Sequence, residues 1–196
     1  MFKVPSGWKC ILFQHENNQP YIFLLDENHD MADVISDNLE IAYELIADYG
    51  VGLVGVEDYA SRIDPYKGDV CHPRHHSTAE LPYAHYIGTE TRFAKGIQNH
   101  GAIVVGVDSE GLKCEIEMTC KSIDDVSNHP ANVLRSENFV MSLFQERQYR
   151  GLECNVLINC GADHNQHILD FVKGKRSRPK DWPEGSYINL RSPKFL

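Results

Sequence analysis

Four short runs of almost uninterrupted apolar residues constrain this chain more than anything else in it. They cover residues 21–25, 51–56, 102–107 and 155–159, and each leads directly into polar or ionisable side chains. A run that is apolar at nearly every position belongs to a strand covered on both faces, as parallel strands are. Helical patterns separate the runs. Residues 31–49 place Val34, Ile35, Leu39, Ile41, Ala42, Leu45 and Ile46 at helical spacing before Gly50, and residues 90–100 do so with Phe93, Ala94 and Ile97 before Gly101. Residues 130–150 carry Val133, Leu134, Phe139, Val140, Leu143 and Phe144 ahead of Gly151, and shorter helices are expected near residues 110–120 and from about His164 to Lys173.

Strands alternating with helices predict right-handed crossovers and a three-layer α/β domain, a mainly parallel central sheet with helices on both faces. Phe23, Leu24, Val54, Val56, Val104, Val105, Val156 and Ile158 are the expected sheet core. Residues 8–14 and 21–25, separated by Glu16-Asn17-Asn18-Gln19-Pro20, read as a hairpin or a strand-loop-strand unit, and residues 186–190 as a last edge strand. A chain of 196 residues fits one domain over residues 1–196. Within it, residues 60–89 hold three prolines, four histidines and no periodicity, which predicts an irregular lid or insertion, mobile in solution.

The net charge of −9 argues against nucleic-acid and anionic-membrane partners, because both need clustered Lys and Arg. The C-terminal tail, residues 174–196, is basic. From Lys173 onward seven basic and two acidic residues give +5 against −14 for the rest, so the tail either lies against an acidic body or binds phosphate. The first residues lack a signal-peptide core and no run is long enough to span a bilayer, so a cytoplasmic location is expected. The six cysteines form no C-x-x-C pair and are expected to be mostly reduced.

In open α/β sheets ligands bind outside the carboxyl ends of the strands. Here those ends read Leu25-Asp26-Glu27-Asn28-His29, Val56-Glu57-Asp58, Val107-Asp108-Ser109-Glu110 and Cys160-Gly161-Ala162-Asp163-His164. Two histidines and several carboxylates on one edge suit either a divalent cation or a base with its orienting partner. Asp and Ser at these places also suit helix caps: Asp163 with Gln166 has capping-box spacing, and Asp108 or Ser109 can cap the next helix. Glu27, His29, Glu57 and His164 fit caps less well, and His167 shares a helical face with His164. The segment Cys71-His72-Pro73-Arg74-His75-His76, with His85, reads as a metal site or as a lid whose histidines complete the site on closure. No nucleophile elbow, Walker loop or G-x-G-x-x-G is present.

The ordered series Asp26-Glu27-Asn28-His29, a strand ending in Glu57, and Gly161-Ala162-Asp163-His164 resembles the erythromycin esterase, ChaN, TIKI and TraB superfamily, over about residues 21–173. The stretch Arg135-Ser136-Glu137-Asn138-Phe139-Val140-Met141 is similar to its R-N-x-x-M helix motif. Asn138 and Met141 match it, while Arg135 stands two residues early and Asp26 replaces the first motif glycine. The resemblance implies a small hydrolase of ester or peptide bonds, with Glu27, His29, Glu57 and His164 as the catalytic group; Asp108 at its strand end, His167 beside His164, and Arg135 and Asn138 of the helix motif are the further candidates for binding a small-molecule or peptide substrate. His29, His164 and Glu57 would hold a divalent metal ion if water activation is metal-assisted. The alternative it implies is a non-catalytic protein that binds haem, a metal or another small ligand in the same place.

Overall fold

The structure, a computed structural model of the chain, describes residues 3–13, 20–28, 31–59, 89–120 and 122–195. His29, the histidine-rich segment and residues 60–88 of the expected lid lie outside the described residues.

Six strands form one sheet in the order β1-β6-β2-β5-β3-β4, with β1 Lys9–Phe13, β2 Tyr21–Glu27, β3 Val51–Tyr59, β4 Ile103–Asp108, β5 Asn155–Gly161 and β6 Ser186–Arg191. All neighbours are parallel except β1, which runs antiparallel to β6. The helices are α1 Ala32–Tyr49, α2 Thr89–Gln98, α3 Glu110–Thr119, α4 Ile123–Asn128, α5 Pro130–Tyr149 and α6 Ala162–Val172. All eight expected core residues are buried.

Successive residues along the strands point to opposite faces. On one face Ile22, Leu24, Val105, Val107, Val156 and Ile158 pack with Phe139, Val140 and Leu143 of α5 and Ile168 and Leu169 of α6. On the other, Phe23, Leu25, Val54, Val56, Val104 and Leu157 pack with Ile35, Ile41, Ala42 and Leu45 of α1 and Phe93 and Ile97 of α2. Helices therefore cover both faces, as the continuous apolar runs require. Helix α1 ends where Gly50 takes the left-handed conformation at φ 65° and donates its N–H to Leu45 O.

Two local expectations are corrected. Of the two alternatives for residues 8–25 the hairpin is ruled out, because β6 lies between β1 and β2 and pairs with both. Strand β6 is accordingly interior: Tyr187, Ile188 and Leu190 are buried, and its polar Asn189 is buried too, donating to Asp26 Oδ1 at 2.7 Å. Polar residues at Ser186, Asn189 and Arg191 give it the look of an edge strand, but Asn189 and Arg191 both donate to the buried Asp26. Between α3 and α5 the chain forms a further short helix, α4, of about one and a half turns, with a Ser122–Asp125 capping box at its start.

The basic tail lies against acidic groups of the body. Lys194 Nζ is 2.6 Å from Asp37, Lys175 Nζ is 3.4 Å from Asp170, and Arg191 Nε donates to Asp26. Among the described cysteines, Cys10, Cys120, Cys154 and Cys160 are free and Cys114 is disulfide-bonded. No helix among the described residues is long and apolar enough to cross a membrane.

Candidate functional site

Parallel pairing puts the carboxyl ends of β2, β5, β3 and β4 side by side on one edge of the sheet, with Glu27 level with Gly161 and Tyr59 level with Asp108. The pleat then sorts the acidic residues between faces. Glu57 follows Gly55 towards α5: a Cβ on Gly55 would touch Leu143. Glu27 follows Phe23 and Leu25 towards α1.

Helix α5 lays a buried polar stripe, Asn132, Arg135 and Ser136, along the first group. Arg135 is 6% exposed and sits at its centre. Its Nε donates to Asp108 Oδ1 at 2.9 Å and its Nη2 to Asp108 Oδ2 at 2.6 Å, the two-bond fork that a guanidinium makes with a carboxylate. Nη2 also donates to Glu57 Oε1 at 2.9 Å, and Nη1 to Asn132 Oδ1 at 3.0 Å. Burial works against the guanidinium's charge, but the bonds it donates to Asp108 and the attraction of Asp108 and Glu57 outweigh it and hold Arg135 charged more firmly than usual. Complete burial pushes the Asp108 carboxyl above the ordinary range, against the pull of Arg135 and with Glu57 adding to the rise.

Glu57 is held from two more sides. Gly161 N–H donates to its Oε2 at 3.2 Å, and His164 Nε2 stands 3.6 Å from its Oε1. The other ring nitrogen of His164, Nδ1, is 2.8 Å from Ser136 Oγ, which is also 3.0 Å from His167 Nδ1 and donates to Asn132 O at 3.0 Å. The Phe139 ring lies 4.7 Å from the His164 ring and walls the site on its apolar side. Burial, with smaller contributions from neighbouring His164 and Arg176, pushes His167 below its ordinary value.

Glu27 belongs to a different set of bonds. Asn159 Nδ2 donates to it, and Asn159 Oδ1 accepts from Asn38 Nδ2 at 3.0 Å. Asp26, one residue earlier and on the opposite face, is a buried anchor for Asn165, Asn189 and Arg191.

Of the expected site residues, Glu57, Asp108, Arg135, His164 and His167 come together. Asn138 does not reach the cluster through its side chain: its Nδ2 donates to Val107 O at 2.9 Å and pins α5 to β4. Asp163 forms no capping box; Gly161 is the N-cap of α6, no side chain caps it, and Asp163 instead accepts from Ser127 Oγ. Ser109 does cap α3, accepting from Leu112 N–H at 3.2 Å, which leaves Asp108 for Arg135. The sequence pattern does not single out Asn132 and Ser136, which bond to the cluster, or Asn38 and Asn159, which surround Glu27. Their signal is polar residues set into apolar surface, most plainly Asn132, Arg135 and Ser136 at i, i+3 and i+4 of α5.

Among the described residues no group of three His, Cys, Asp or Glu side chains is placed to hold a metal ion. Glu57 spends both carboxylate oxygens on Arg135 and Gly161, and His164 turns Nδ1 to Ser136. The expected set of His29, His164 and Glu57 depends on a residue outside the described ones. The chain matches no protein-family model, no curated protein and no solved structure.

Proposed function

We propose that this strand-end cluster is a hydrolytic site, of the erythromycin esterase and ChaN-like type, which activates water on His164 to cleave an ester or peptide bond in a small-molecule or peptide substrate. One observation carries the reading: an imidazole held at Nδ1 presents Nε2 to a carboxylate 3.6 Å away, beside a buried Arg-carboxylate fork. That gap is longer than a direct hydrogen bond, and it suits two groups that share a water molecule. His164 Nε2 takes a proton from the water as its oxygen attacks the carbonyl, then returns that proton to the departing alkoxide or amine. Glu57 stabilises the imidazolium formed in between. Arg135 holds Glu57 and Asp108 in place; four of its five N–H groups are spent on that task and on Asn132.

The test is hydrolysis of a panel of p-nitrophenyl esters and fluorogenic peptides by the purified chain. Turnover is expected to fall about 10²- to 10⁴-fold in His164→Ala, the usual worth of a positioned base, and substantially in Glu57→Gln. An inactive wild type, or an active His164→Ala, overturns the proposal. Tight uptake of haem or a divalent metal without turnover would put a non-catalytic binding site in its place.

A further inference from the structure

Ser136 Oγ has three polar neighbours and one proton. It lies 3.0 Å from Asn132 O, 2.8 Å from His164 Nδ1 and 3.0 Å from His167 Nδ1. A hydroxyl donates once and accepts twice, a carbonyl oxygen only accepts, and a neutral imidazole nitrogen does one or the other according to tautomer. If the hydroxyl proton points to either imidazole, the contact with Asn132 O is no hydrogen bond and one of the three is lost. Only when the proton goes to Asn132 O, the back-bond one turn down its own helix, are all three contacts hydrogen bonds. Both imidazoles must then carry their proton on Nδ1. Ser136 is fully buried, and so are both histidines for the most part, so each missing bond here leaves a polar atom without water to replace it.

We infer that Ser136 is a positioning residue which selects the tautomer of His164, taking a hydrogen bond from Nδ1–H and leaving the lone pair on Nε2, the nitrogen that faces Glu57. His167 sits at i+3 on the same helix and fills the second acceptor site of the same hydroxyl. It prevents the hydroxyl from accepting a bond from any other group. The downward shift of His167 fits a ring that stays neutral in this role. The seam between α5 and α6 is thus a device that sets the chemistry of one nitrogen from the far side of its ring. Its catalytic meaning rests on the proposed hydrolytic site, but the tautomer itself does not.

The experiment is long-range ¹H–¹⁵N correlation NMR of histidine-labelled protein at a pH where the His164 ring is neutral, with His164→Asn used to assign the ring. The wild type is expected to show a protonated Nδ1 and a bare Nε2 on His164. In Ser136→Ala the acceptor is gone and a bond to Glu57 becomes the ring's best use of its proton, so the bare-nitrogen signal should move to Nδ1. Ser136→Thr keeps a hydroxyl and should restore the wild-type pattern. A wild-type spectrum with the proton on Nε2 overturns the inference by itself, even if neither variant folds. So does an unchanged tautomer in a folded Ser136→Ala. Because the spectrum needs no substrate, the expected tautomer in a protein without turnover would overturn the hydrolytic reading alone.

Discussion

At the scale of single residues, the site is organised by Arg135 between two carboxylates. Removing a buried cation from such a group leaves its partners charged and undersolvated, a loss of about 3–5 kcal/mol. Arg135→Met is therefore expected to lower unfolding free energy by roughly that amount in urea titrations. His167 gives a second expectation. Its ring is held below its unfolded value of 6.5, so below about pH 6.5 the unfolded chain binds a proton that the folded chain refuses. That contribution to stability is present above pH 6.5 and is lost as the pH falls through the folded value. Melting temperature should decline over this interval in the wild type and decline less in His167→Phe. Glu57 differs from a simple repulsive acid: with Arg135 and Gly161 both donating to it, Glu57→Gln turns an amide NH₂ towards a donor, which costs about 1–3 kcal/mol. From sequence alone, mutual repulsion with Glu27 would predict unchanged or higher stability for that variant.

At the scale of elements, the site depends on how closely α5 approaches the sheet. Gly55 makes that approach possible, since a Cβ there would stand 2.9 Å from Val107 Cγ1 and 3.3 Å from Leu143 Cδ1. Gly55→Ala should force α5 outward at a cost of about 1–3 kcal/mol, typical of overpacking. Because α5 carries Asn132, Arg135 and Ser136, the same variant should perturb the amide and ring signals of His164 although position 55 touches no imidazole. Unchanged stability together with an unchanged His164 spectrum would show that the sheet absorbs the methyl group without moving the helix.

At the scale of the whole molecule, β6 joins the two ends of the chain. It pairs with β1 on one side and β2 on the other, and its buried Asn189 donates a hydrogen bond to Asp26 next to the site. Deleting residues 186–195 would remove Tyr187, Ile188 and Leu190, each contributing about 1.5–3 kcal/mol of burial, uncover the apolar surface they pack on and strip β1 of the partner it has in the sheet. The sum rivals the 5–15 kcal/mol that holds a typical domain together. The truncated chain is expected to lose its cooperative thermal transition and its near-ultraviolet circular dichroism signal; a cooperative melt at the full-length temperature would refute the central role given to β6.

What the sequence determined by itself is what local periodicity can encode. Strands at 21–25, 51–56, 102–107 and 155–159 and the helices between them follow from which residues are apolar and how often they recur, and their polar ends from what stands next in the chain. Handed crossovers then suffice to bring Glu57, Asp108 and His164 to one edge. Tertiary structure decided the rest. Strand β6 finds its place between β1 and β2 through pairing across more than 160 positions in the β2 register, for which no local signal exists. The pleat turns Glu27 and Glu57 to opposite faces, although each stands at the end of a similar apolar run. The link between His164 and His167 runs through a serine on another helix, a contact set by the docking of α5 on α6. Periodicity reports which side of an element is buried; the partner that side meets depends on packing between segments far apart in the chain.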